Sequence, residues 1–255
     1  MVATRGIRAV HGYGFVGYPF GGADQLRSAV RENVAAGADL IKIYITGSLR
    51  GQKGIPSYFS RSEIQEVVDE AHRVGLPVAT HCIGGIGLEW ALETGIDVIE
   101  HGYFMTDREI DLLVKADRWL VMTPSIFFTD ARIRTLPPEL VAGHLQQRDE
   151  VAQRMRAAIR AGVKFAVGTD GMHGGLAQEV QYLVDFGATP GQALMAATGH
   201  AARVCGLRDR IGTLESGKFA DLIGVEGNPL EDIQSLQRVK TVIARGNVRH
   251  RVNPS

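Results

Sequence analysis

Short apolar segments that alternate with amphipathic helical segments constrain this sequence more than any other feature. The segments are residues 40–45, 75–81, 97–101, 119–122 and 164–168, with a weaker one at 7–10. Each is a short β-branched or apolar run, and helical stretches separate the five stronger ones. Strands of this length that alternate with helices predict a parallel sheet with helices packed on its faces.

Polar side chains stand in or just after four of these segments. Lys42 lies inside residues 40–45, His81 and His101 end the next two segments, and Asp170 follows residues 164–168. In a (β/α) barrel, catalytic groups are delivered to one rim from the carboxyl ends of successive strands. We therefore expect an α/β fold, an incomplete TIM-type barrel of about strands 3–8, because eight strand–helix units are needed to close one.

The last part of the chain has a different pattern. Residues 211–223 indicate a turn followed by a strand, and two apolar runs flank Arg245-Gly246-Asn247, which is a hairpin signal. We expect two domains: a partial barrel over residues 1–208, which carries these four polar residues, and a small C-terminal antiparallel β segment over residues 209–255.

The amino-acid composition argues against several classes of binding partner. Lys+Arg and Asp+Glu both number 28, so the formal net charge is zero, which argues against nucleic acid or an anionic membrane. The two cysteines are too few for a disulfide framework, and no apolar run approaches the roughly 20 residues of a membrane span. We expect a cytoplasmic protein that acts on a small molecule, without nucleic-acid or membrane partners.

Lys42 is the least expected residue in its surroundings. An unpaired ammonium in an isoleucine-rich strand is costly, and desolvation lowers the pKa of a lysine. The neutral amine can react with carbon dioxide, and the resulting carbamate is an anionic ligand able to bridge two metal ions. The alternative is a structural ion pair between Lys42 and a carboxylate at the rim.

For the other three residues, an ordinary structural role is also an alternative to metal binding. His81 and His101 could each be a half-buried histidine with satisfied hydrogen bonds, and Asp170 could be a helix-cap or turn aspartate. Their common placement favours a metal site, because imidazole suits zinc and an aspartate can bind metal and accept a proton from water. Cys82, next to His81, is interpreted as a small buried thiol.

Four short phrases resemble the amidohydrolase superfamily, near its imidazolonepropionase-like and Xaa-Pro-dipeptidase-like branch: residues 37–43, 99–102, 168–170 and 212–222. The resemblance implies a metal-dependent hydrolase of amide, lactam or dipeptide carbon–nitrogen bonds. It implies a carboxylated Lys42 bridging two metal ions, most simply zinc, with His81 and His101 on one ion. Asp170 would bind the other ion and act as the base. His173 resembles a histidine that this branch carries after the aspartate, which implies that it binds the substrate or supports a metal ligand, although an exposed loop histidine would look the same.

One departure from the family pattern matters. The family carries His-x-His on its first strand, and no two of the eight histidines here are two positions apart. We therefore expect the N-terminal part of the barrel to be missing and the second metal site to be incomplete. The alternatives are a catalytically inactive fragment, or a subunit that completes another chain's barrel in an oligomer. A phosphate-binding lyase or isomerase is a third, weaker alternative, since residues 171–175 only faintly resemble a phosphate loop.

Overall fold

The computed structural model of the chain describes residues 6–9, 18–48, 50, 54–134, 136–171 and 174–252. Two compact units are present. Unit 1 comprises Met1–Met122 and Gln146–Lys164, and unit 2 comprises Thr123–Leu145 and Phe165–Ser255. The predicted boundary after residue 208 marks a change in sequence pattern. The two units are instead defined by which residues contact one another.

Unit 1 contains a parallel sheet in the order β2-β1-β3-β4-β5-β6. Its strands are β1 (Ile7–Ala9), β2 (Tyr18–Phe20), β3 (Ile41–Tyr44), β4 (Val78–Cys82), β5 (Val98–His101) and β6 (Trp119–Met122). The predicted parallel α/β architecture is confirmed. Strand β2 was not predicted, because it lies in a glycine- and aromatic-rich stretch that has no alternation.

Helices follow the strands, as the sequence predicts. In unit 1 they are α1 (Ala23–Ala35), α2 (Arg61–Arg73), α3 (Ile86–Thr94) and α4 (Asp107–Ala116). Two of them begin with a capping box, in which an N-cap hydroxyl and the glutamate three residues later exchange hydrogen bonds. Ser60 with Glu63 starts α2, and Thr106 with Glu109 starts α4. Ser60 is thus the N-cap of α2.

Strand β3 shows how the core positions polar groups. Successive side chains on a strand point to opposite faces of the sheet. Ile41 and Ile43 are fully buried on one face, so Lys42 and Tyr44 share the other face and are only partly buried. Burial of each isoleucine stabilises the fold by about 1.5–3 kcal/mol, which holds the strand that carries Lys42.

Unit 2 contains short helices, strand β7 and a small antiparallel sheet. The helices are α5 (Ser125–Phe128), α6 (Asp130–Ile133), α8 (Leu176–Asp185), α9 (Pro190–Ala197) and α10 (Gly199–Val204). Strand β7 (Lys164–Val167) begins at the boundary between the units, and α7 (Pro138–Arg160) contains residues of both. Helices α9 and α10 are separated at Thr198, whose φ of −125° and ψ of −92° are not helical.

The C-terminal sheet has the order β10-β9-β8 and consists of β8 (Leu222–Val225), β9 (Val239–Ala244) and β10 (Asn247–Arg251). The predicted antiparallel segment is confirmed. Arg245 and Gly246 have φ values of 49° and 76°, the left-handed pair that a tight two-residue hairpin turn requires. Among the helices of the described residues, none combines the length and the apolar character that crossing a membrane needs.

Candidate metal centre

Lys42 forms an ion pair with Glu100 of β5. The Lys42 Nζ contacts Glu100 Oε2, and the two side chains are 14% and 25% exposed. Strand β4 lies between β3 and β5, and Ala79, which is in register with Lys42, is small enough for the lysine to reach across it. The ion pair that the sequence left open is thus present. Glu100 was not predicted as a site residue, although a carboxylate in an apolar strand beside His101 was a usable signal.

His81 is buried at the carboxyl end of β4. Its Nε2 lies 3.1 Å from the carbonyl oxygen of Gly47. Because a carbonyl can only accept, Nε2 carries the proton and Nδ1 carries the lone pair of the neutral ring. Burial lowers the pKa of His81 to about 4, and the charge of Lys42 lowers it further, against the Gly47 hydrogen bond. The ring is therefore neutral at pH 7, the form that binds metal.

His101 reaches the same place by an unusual backbone conformation. In a regular strand its side chain would point away from the face that carries Glu100. Its φ is +81°, which is uncommon for a non-glycine residue and typical of functional sites. The imidazole rings of His101 and His81 lie with centroids 4.5 Å apart. Burial, followed by electrostatic interaction with His81 and with the ammonium of Lys42, lowers the pKa of His101 well below its usual value, so this ring is neutral too.

The loops after β4 and β5 hold the two histidines together. Gly102 N donates to Cys82 O at 3.0 Å, and Phe104 N donates to Ile83 O at 2.8 Å. Gly84 has a φ of +137°, and a β-carbon there would lie 2.9 Å from Phe104 O, so only glycine allows this approach. Burial raises the pKa of Cys82 to about 12. The thiol stays protonated, which agrees with its interpretation as a buried structural group.

Asp170 belongs to unit 2 and follows β7, with a left-handed φ of 43°. The preceding residue, Thr169, accepts a hydrogen bond at its carbonyl oxygen from Ser125 Oγ at 3.3 Å. The assignment of Asp170 to metal binding and proton transfer stays a prediction. His173, predicted to bind substrate or to support a metal ligand, lies outside the described residues.

Unit 1 therefore brings together Lys42, His81 and His101 of the predicted site, with Glu100 added. Across the described ranges there is no group of three or more His, Cys, Asp or Glu side chains in a metal-binding arrangement. The two neutral imidazoles are the donor pair that the structure offers. They fit a divalent ion chemically, since imidazole is a common ligand of zinc and a carbonyl hydrogen bond on the other ring nitrogen is the usual support.

Comparison with known proteins gives the chain a family context. A family model described as "Amidohydrolase family" matches residues 3–249. Ochratoxinase of Aspergillus niger is 33% identical over 228 residues, which are 87% of this chain and 48% of that protein. Imidazolonepropionase of Pseudomonas putida is 30% identical over 174 residues, 65% of this chain and 39% of that protein.

A solved structure shows the same fold. The crystal structure of a Xaa-Pro dipeptidase with bound methionine in the active site matches with a TM-score of 0.83 and 34% identity, covering 91% of this chain and 59% of that one. This supports the partial TIM-type barrel with a small C-terminal sheet. The chain spans about half the length of the ochratoxinase that it matches.

Proposed function

This chain belongs to the amidohydrolase family, and on that premise we propose that it hydrolyses a carbon–nitrogen bond in an amide, a lactam or a dipeptide with a divalent metal ion. Zinc is the ion that the donor set favours. The family relatives named above include an ochratoxinase, an imidazolonepropionase and a Xaa-Pro dipeptidase. Small-molecule substrates with such bonds are therefore the class to test.

The observation that carries this proposal is the pair of buried, neutral imidazoles. His81 and His101 end adjacent strands, their ring centroids are 4.5 Å apart, and burial keeps both uncharged at pH 7. Each neutral ring has one nitrogen with a free lone pair, so two rings at this distance could each supply a ligand to one ion. A bound divalent ion would polarise the scissile carbonyl and lower the pKa of an attacking water.

Lys42 has two states in this proposal. In the structure its ammonium pairs with Glu100. Deprotonated and carboxylated, Lys42 would supply a carbamate oxygen as a further ligand, and Glu100 would then lose its cation. Asp170 would accept the proton of the attacking water and return it to the leaving amine. His173 would support the substrate.

The runner-up is a catalytically inactive fragment or a subunit that completes another chain's barrel. Two observations favour it: Lys42 is held by Glu100, and the sequence contains no His-x-His. It predicts that the isolated chain has little turnover and gains activity only with a complementing chain that carries this motif.

Metal content decides between these proposals first. The purified chain is stripped with chelator, supplied with zinc in bicarbonate buffer, dialysed, and measured by inductively coupled plasma mass spectrometry. We expect one or more equivalents of zinc in the parent, loss in His81→Ala and His101→Ala, and reduced content in Lys42→Ala. His72→Ala is the matched control, because His72 pairs with Asp97 Oδ2 at 2.8 Å and is 40% exposed.

A panel of N-acyl amino acids, Xaa-Pro dipeptides and cyclic amides is then screened with the loaded chain. Zinc-dependent turnover that disappears in His81→Ala supports the hydrolase. Zinc binding without turnover supports the complementing-subunit alternative. A parent chain that stays free of zinc under these conditions would refute the metal-dependent proposal.

A further inference from the structure

Unit 2 contains a buried carboxyl group that the proposed mechanism does not use. Glu179 of α8 has no exposed surface, whereas most residues of its type lie at the surface. Its Oε1 is buried without a hydrogen-bond partner, and no ion pair in the described part of the chain includes this residue. Burying a carboxyl group costs free energy unless hydrogen bonds or a paired charge offset it, so the hydrogen bond at Glu179 Oε2 is the contact to examine.

We propose that Glu179 is a positioning residue that holds the turn of Asp170 in place through Ser125. The inference rests on the proposed role of Asp170 and extends it. Glu179 does not touch substrate in this account. It acts on the residue before Asp170 through two successive hydrogen bonds.

Two hydrogen bonds through Ser125 connect Glu179 to the residue before Asp170. Ser125 N, at the start of α5, donates to Glu179 Oε2 at 2.9 Å. Ser125 Oγ donates to the carbonyl oxygen of Thr169 at 3.3 Å. Thr169 precedes Asp170, whose left-handed φ of 43° needs support from its surroundings. The carboxyl group of α8 thus fixes Ser125, and Ser125 fixes the peptide that enters the aspartate turn.

The charge state of Glu179 agrees with this role. Burial raises the pKa of Glu179 to about 7, the Ser125 hydrogen bonds lower it, and the negative charge of Asp170 raises it. Glu179 is therefore only partly ionised near pH 7, and its Oε2 can accept from Ser125 N in either form. Glutamine has nearly the same shape and keeps an oxygen acceptor, so Glu179→Gln should preserve the hydrogen bond from Ser125 N. Leucine has no acceptor, so Glu179→Leu should lose it.

The test compares three variants of the full chain. Glu179→Gln keeps the acceptor, and Glu179→Leu removes it at similar volume. Val180→Ala is the matched control, because Val180 is a buried neighbour on the same helix that makes no side-chain hydrogen bond. Hydrogen–deuterium exchange is followed in peptides covering residues 123–129 and 165–171. In parallel, the cobalt-loaded proteins are compared by visible absorption with an Asp170→Asn variant.

We expect at least about fivefold faster exchange in both peptides of Glu179→Leu, the factor that corresponds to the loss of one buried hydrogen bond. Glu179→Gln should stay within about twofold of the parent by the same scale, and Val180→Ala should leave exchange at Ser125 unchanged. The cobalt spectrum of Glu179→Leu should resemble that of Asp170→Asn, and that of Glu179→Gln should resemble the parent.

Each other outcome is informative. Parent-like exchange in Glu179→Leu, or leucine-like exchange in Glu179→Gln, would overturn the positioning role. Equal effects of Val180→Ala and Glu179→Leu would show general loosening of α8 and would overturn it as well. If the parent binds no cobalt, the proposed function fails, while the exchange measurement still decides whether Glu179 holds the Asp170 turn.

Discussion

Replacing Gly84 by alanine should destabilise unit 1 far more than a glycine-to-alanine change at an open position. Gly84 follows β4 with a φ of +137°, and an added β-carbon would meet Phe104 O at 2.9 Å and Phe104 C at 3.0 Å. Both atoms are backbone, so no side-chain rotation relieves the contact. Either the loop after His81 or the loop after His101 must move.

The magnitude follows from two contributions. Forcing alanine into this backbone conformation costs about 1–3 kcal/mol, and overpacking a fixed neighbour adds about 1–3 kcal/mol. The expected loss in the free energy of unfolding is therefore about 4 kcal/mol. Gly162→Ala is the matched control, since Gly162 lies in unit 1 with a φ of +79° and nothing within 4 Å of an added β-carbon. It should lose only about 1 kcal/mol.

Urea denaturation followed by tryptophan fluorescence measures the difference. The chain has two tryptophans, Trp90 and Trp119, and both belong to unit 1, so the signal reports this unit. With an m-value of about 2 kcal/mol/M, the excess of about 3 kcal/mol lowers the midpoint of Gly84→Ala by about 1.5 M relative to Gly162→Ala. Equal midpoints for the two variants would refute the argument that the loops are in rigid backbone contact.

Three other predictions concern charge, capping and metal. Arg73 and Arg31 hydrogen-bond Glu70 and lower its pKa from 4.5 to about 2, so the stability from Glu70 is present above pH 4.5 and is lost as the pH falls toward 2. The difference in melting temperature between the parent and Glu70→Gln should therefore shrink over that range, and a constant difference would contradict the ion pairs. Thr106→Ala removes the N-cap of α4 and should cost about 1 kcal/mol in urea denaturation, whereas Ser62→Ala should cost less than about 0.5 kcal/mol. Zinc at 100 times its dissociation constant should stabilise the folded chain by about 2.7 kcal/mol, seen as a higher melting temperature that chelator reverses; no shift would count against a native metal site.

Local patterns determined much of the fold. Residues 119–122 were predicted as a strand with the bounds that the structure gives, because four apolar residues between turn signals leave few alternatives. The hairpin at Arg245-Gly246 was predicted for a similar reason, because its turn residues stand between two apolar runs. Each depends on residues within a few positions along the chain, whose side chains and backbone interact before any tertiary contact forms.

The candidate site was only partly predictable. The ends of the strands indicated Lys42, His81 and His101, since parallel strands present their carboxyl ends at one edge. The sequence also left an ion pair as the alternative for Lys42, but it did not identify Glu100 as the partner. That identification needs the register of β3, β4 and β5, which is set by side-chain packing over the whole sheet.

Tertiary structure alone decided the conformation of the site. The positive φ of His101 turns its ring toward His81, and no local pattern predicts such a conformation for a histidine. Glu179 likewise looked like an ordinary helix residue until α8 buried it against Ser125. In both cases the cause is contact between segments far apart in the chain: packing supplies the free energy that holds a strained backbone or a buried carboxyl group in place, and that free energy exists only in the folded protein.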